Sequence, residues 1–206
     1  MNDSYMGMKK NIYDLLYTNK QGKKESSYEM SLLEDQDIPW DRIEKLKGLL
    51  QPVSSIKNIL IPLESAKLLS SWGIEEGLNY LENLVDNRVD KLGLISPHRL
   101  FSYDQIYEEI QDAITNYYAR HADRSTEEGI NAAKRIKPIL LKIIKLFEVL
   151  PFELTCLFDI EEFLDRNSYE IPLKKCFKIL VMKKERKKAK DLEKLLLKWD
   201  PNFSLN

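Results

Sequence analysis

Residues 125–150 read STEEGINAAKRIKPILLKIIKLFEVL, and the fold class turns on them. Ser125 followed three positions later by Glu128 is a capping box, a signature of a helix start. From Ile139 to Leu150 the segment is apolar on most sides. A helix of that kind belongs at the centre of a helical protein. Pro138 has no amide hydrogen and is expected to kink this helix or divide it. Lys142, Lys145 and Glu148 interrupt the apolar run, so it does not read as a membrane span.

Working outward, the period of apolar residues is helical almost throughout. Upstream, Ile74, Leu78, Leu81, Val85, Val89 and Leu92 mark one helix face, with Gly93 as its stop. The next helix carries Tyr103, Ile106 or Tyr107, Ile110, Ile114, Tyr117 and His121. Nearer the N-terminus a short helix covers Lys9 to Tyr17. The polar run NKQGKKESS then reads as a loop. Pro39 opens a helix with Trp40, Ile43, Leu46 and Leu50 on its apolar side, and Pro62 opens another. Downstream lie an amphipathic segment over Phe152–Asp165, a helix starting at Pro172, and a last one with Ala189, Leu192, Leu196 and Trp199. Alternating strand patterns and Asn-Gly or Asp-Gly hairpin turns are missing. The expectation is one all-α domain over residues 1–206, of about eight to ten helices, with residues 1–30 as its most loosely attached part. An irregular bundle and a short stack of helical hairpins of HEAT or armadillo type both fit.

With 206 residues and 43% apolar content the chain can bury a core without disulfides. It has 7 glycines, and no GxGxxG, P-loop or GxSxG motif occurs. Its two histidines (His98, His121) and two cysteines (Cys156, Cys176) offer little to a zinc site. Each cysteine sits in an apolar helical pattern and reads as a reduced core residue, which fits a cytoplasmic protein. No signal-peptide pattern opens the sequence. Nothing calls for a cofactor or a metal, and no catalytic constellation is evident.

The net charge of −1 hides a division. Residues 25–128 carry 10 Lys and Arg against 20 Asp and Glu, whereas residues 171–206 carry 11 against 4. On the helix from Ile74 the acids Glu82, Asp86 and Asp90 lie opposite the apolar stripe, and on the following helix Asp104, Glu108 and Asp112 do. Like charges four residues apart weaken a helix by a few tenths of a kcal/mol. Asp104 and Glu108 gain from the dipole at a helix start, but Asp86 and Asp90 fall at a helix end, where it opposes them. A local cost without local benefit points to a basic counterpart: Lys183–Lys190 of the same chain, or a basic partner. The tyrosines Tyr103 and Tyr107 beside these acids suit a protein interface. The basic end lacks interleaved aromatics, which disfavours nucleic-acid binding.

Within residues 70–120, Trp72-Gly73-x-Glu75-Glu76-Gly77 opens one helix. Pro97-His98-Arg99 is then followed by Tyr103-Asp104-x-x-Tyr107-Glu108-Glu109. This quarter of the chain resembles small bacterial immunity proteins of contact-dependent growth inhibition systems. The resemblance implies a cytoplasmic inhibitor with no activity of its own, bound to a cognate toxin domain, often a nuclease with a basic groove. The residues expected to meet it are Glu82, Asp86, Asp90, Tyr103, Asp104, Tyr107, Glu108 and Asp112. Membranes and small-molecule substrates play no part in that expectation. Two alternatives stand beside it: a helical scaffold that binds some other protein, and an enzyme acting on nucleic acid through the basic end.

Overall fold

The computed structural model describes residues 9–52, 58–98, 100 and 103–203. Among them are ten α-helices and no named strand: α1 (Lys10–Tyr17), α2 (Ser27–Ser31), α3 (Trp40–Lys47), α4 (Leu60–Ser71), α5 (Glu75–Asp86), α6 (Ile106–Arg124), α7 (Thr126–Phe147), α8 (Leu157–Glu162), α9 (Arg166–Met182) and α10 (Arg186–Trp199). The fold is all-α, as the apolar periodicity requires. No helix among these residues is long and apolar enough to cross a membrane.

Three antiparallel pairs, α4/α5, α6/α7 and α9/α10, follow one another along the chain, and each packs on the next. The pairs differ in length, so the stack is not built from equal repeats. Helices α6 and α7 form the most extensive pairing and supply Ile110, Ile114, Ile136, Ile139, Leu140 and Ile143 to the main core, all 0% exposed. Contact between α4 and α5 is close because Gly77 lacks a side chain. A Cβ there would lie 2.5 Å from both Leu69 Cβ and the Ser70 nitrogen.

A second apolar cluster sits under the N-terminal layer. Leu16, Met30, Ile43 and Leu46 pack on Leu68, Leu69 and Trp72 of the α4 end. The Arg42 guanidinium reaches the Leu15 carbonyl through Nε at 2.9 Å, and Trp72 Nε1 donates to the Met30 carbonyl at 2.9 Å. Arg124 at the end of α6 donates to Asp35 through Nε at 2.9 Å, which holds that carboxyl below its usual range. From Lys10 onward the apolar side chains of this layer pack on the α4 surface. Residues 1–8, which begin the segment expected to be loose, lie outside the described residues, as does Arg99.

Four expectations need correction. Helix α7 is not divided at Pro138, which lies inside it. That proline faces solvent, so the carbonyl it leaves unpaired one turn back has access to water. Pro172 lies inside α9, whose start is set by Asp165, its side chain accepting from the Asn167 amide at 3.2 Å. Helix α5 ends at Asp86, and Arg88, with φ 56°, turns the chain into a short 3-10 segment at Val89–Leu92 before Gly93. The loop expected after α1 contains α2, opened by a capping box in which Ser26 accepts from the Glu29 amide and Glu29 from that of Ser26. Cys156 and Cys176 are free and buried.

Candidate functional site

The acids singled out on α5 do not look outward alone. Arg135 Nη2 lies 2.9 Å from Glu82, and Lys142 Nζ lies 3.1 Å from Glu82 and 2.7 Å from Asp86. The counterpart of this acidic face is therefore the polar side of α7. The C-terminal lysines pair elsewhere: Lys187 with Glu153 at 4.0 Å, Lys174 with Glu170 at 2.8 Å, and Lys198 with Glu161. Asp90 receives both Arg88 Nε at 2.9 Å and Nη2 at 2.8 Å, and also the Tyr107 hydroxyl. Burial alone would raise the Asp90 carboxyl, but these donors outweigh it and hold it low.

Tyr107 is 1% exposed and Glu108 is 9% exposed. Both are enclosed by segments that cover the start of α6: the Tyr107 ring lies 5.1 Å from that of Phe152 and its hydroxyl donates to Asp90, while Glu153 covers Glu108. Glu108 accepts from the Glu153 amide at 2.8 Å. Tyr103 precedes α6, half-buried, with its ring 5.0 Å from that of His98. Asp104 ties the 95–96 loop to the start of α6, accepting from the amides of Ile95 (2.6 Å), Ser96 (2.9 Å) and Ile106 (3.0 Å). Only Asp112 of the eight combines an exposed position with no ion-pair partner among the described residues, although its carboxyl is partly covered and hydrogen-bonded to Thr155. The eight do not form one surface.

Asp112 opens instead onto a polar cleft of about 860 Å³ between α2, α4, α6 and the 95–98 loop. Lys67 of α4 stands in its wall, with Nζ 2.5 Å from Glu64 and 2.6 Å from Glu109. Burial would lower the Lys67 pKa, but the two carboxylates overcome it and hold the ammonium charged well above its ordinary range. Ser27 at the start of α2 donates to Glu64 at 2.8 Å, and Ser96 of the loop donates to Glu109. Helical spacing explains the arrangement. Glu64 and Lys67 are three apart on α4, which places them side by side. Glu109 sits one turn before Asp112 on α6 and faces the same space. Asn116, one turn further, donates to the Ser71 hydroxyl at 3.4 Å.

The lining thus holds three carboxylates against one ammonium, with His98 at the loop side. Protein mass around Asp112 raises its carboxyl above the ordinary value, with Glu109 adding to the effect. Across the Thr155 turn Asp159 is pushed up to about 6, by burial and then by the Asp112 charge. Such a cleft attracts and orients cations: fixed carboxylates, hydrogen-bonded hydroxyls and an acidic field. Among the described residues no three His, Cys, Asp or Glu side chains are placed to share a metal ion. The Glu64/Lys67 pair is within reach of helical spacing, but its links to Ser27 and Glu109, 37 and 42 residues away, are not, and so the cleft went unnoticed in the sequence. Compared with protein-family models, curated proteins and solved structures, the chain matches none.

Proposed function

We propose that the chain is an immunity-type binding protein that neutralises a basic toxin domain, and that the cleft around Asp112 receives the basic side chains. The observation that carries this reading is the excess of carboxylates over cations in a wide, polar, preorganised cleft. Lys67 is fully engaged by Glu64 and Glu109, which leaves Asp112 to bind an incoming ammonium or guanidinium. Fixed carboxylates of this kind steer a basic partner and raise the rate of encounter. The resemblance of residues 70–120 to immunity proteins supplies the class of partner, and the cytoplasm of the producing cell is where such a protein acts. The contact set is accordingly revised from the α5 face to the α6 side of the cleft: Glu109, Asp112 and Asn116, with Asp104 holding the loop. The partner is expected to be the product of the adjacent gene, and the test is calorimetry with it after co-purification. Asp112→Lys should weaken binding by about 10- to 100-fold, with the far-UV circular dichroism of the variant unchanged as the check that it folds. Affinity equal to that of the unaltered chain removes the cleft as the docking site.

A further inference from the structure

On another part of the molecule a groove of about 630 Å³ runs between α10 and the segment from the end of α7 to α8. Its floor is apolar, made by Phe147, Phe152, Leu154, Leu157 and Leu195, and Phe158 stands at its edge, 62% exposed. The volume lies within the range of about 300–1,000 Å³ usual for small-molecule sites. Ion pairs stand along it, Lys187 with Glu153 towards the start of α10 and Lys198 with Glu161 towards its end. From Lys187 to Lys198 the helix rises about 16 Å. That is the span of an extended chain of about thirteen carbons, since C–C bonds of about 1.5 Å advance about 1.3 Å each along a zigzag, so a chain of about twelve carbons fits within it.

Lysines and carboxylates balance around the rim, four of each. The sign preference of the groove rests on one residue. Lys188 lies half-buried in the wall with Nζ 4.3 Å from the Phe147 ring centre. Its ammonium donates to the carbonyls of Phe147 and Leu150, the latter at 2.7 Å. The Phe147 carbonyl ends α7, where a cation is favoured by the helix dipole, and the Leu150 carbonyl lies just beyond it. They are neutral, and an ammonium has three donors. Besides these two carbonyls and the Phe147 ring, the Lys188 ammonium meets no hydrogen-bond acceptor among the described residues, which leaves an N–H to turn towards an anion on the apolar floor. Burial there weakens its hold on the proton, with Glu185 acting in the opposite sense.

We propose that the groove binds a single-chain amphiphile with an anionic head, a long-chain carboxylate, its chain on the Phe152–Leu195 floor and its carboxylate on the Lys188 ammonium. No covalent step is involved. The site is independent of the acidic cleft, so either proposal stands if the other fails.

The probe is sodium dodecanoate below its micelle concentration, titrated calorimetrically into the full chain beside dodecyltrimethylammonium, which has the same tail and a cationic head. Dodecanoate should bind once per chain and at least about tenfold more tightly. Each methylene removed from the tail should weaken it about fourfold. Phe158→Asp, at an exposed position that leaves the fold intact, should weaken both amphiphiles. Lys188→Met should abolish the preference for the carboxylate, and Lys188→Arg should retain it. Equal binding of the two amphiphiles, or dodecanoate binding unaffected by Phe158→Asp, would overturn the proposal.

Discussion

Lys67 carries the largest electrostatic commitment of any single residue in the cleft. Its neighbours Glu64 and Glu109 are 3 and 42 positions away, and Glu64 is 3% exposed. Lys67→Met should cost about 3–5 kcal/mol of stability in urea unfolding, because it leaves a buried carboxylate without its cation. Adding Glu64→Gln should return part of that loss. Asp159 behaves in the opposite way. Its folded-state pKa, about 6, lies above the value of about 3.9 in an unfolded chain. Between these values the folded state holds more protons than the unfolded one, so the stability Asp159 contributes is lost as pH rises from about 4 to 6. Asp159→Asn should remove that slope and make the protein more stable than wild type at neutral pH. A difference between the two stability curves that is flat across this window would contradict the assignment.

At the scale of elements, close approach between helices decides what can change. Gly77→Ala should cost about 1–3 kcal/mol in urea unfolding, since the new Cβ meets the α4 backbone at Ser70 rather than a flexible side-chain end. Helices α3, α5, α6, α7 and α10 were legible because their apolar residues recur with a helical period. What was not legible has a common cause. Whether Pro138 breaks a helix depends on whether the carbonyl it frees reaches water, and that depends on which side of α7 is covered. The Ser26/Glu29 capping box lies in the local sequence, but the polar run around it disguises a helix of five residues. Trp40, placed on the apolar side of α3 by spacing, is 70% exposed, with the Lys47 ammonium over its ring. Glu108 was assigned to a solvent face by a one-sided helical wheel, whereas the Glu153 amide donates to it and encloses it.

Across the whole molecule the charge division in the sequence is resolved by packing rather than by composition. The acids of α5 meet Arg135 and Lys142 of α7, and the lysines of α9 and α10 meet Glu153, Glu161 and Glu170. What remains unbalanced is local: the cleft behind Asp112 with its three carboxylates and one ammonium. The acidic excess of residues 25–128 was a poor pointer to individual residues, because helix pairing selects which carboxylates keep their charge unmet. Hydrogen exchange of the chain, alone and with the basic toxin domain co-purified from the adjacent gene, tests this account most directly. It predicts slowed exchange in the 95–98 loop and along α6 around Glu109–Asn116, with the paired face of α5 and α7 unchanged. Protection confined to α9 and α10, or to the Arg135–Lys142 face, would contradict it.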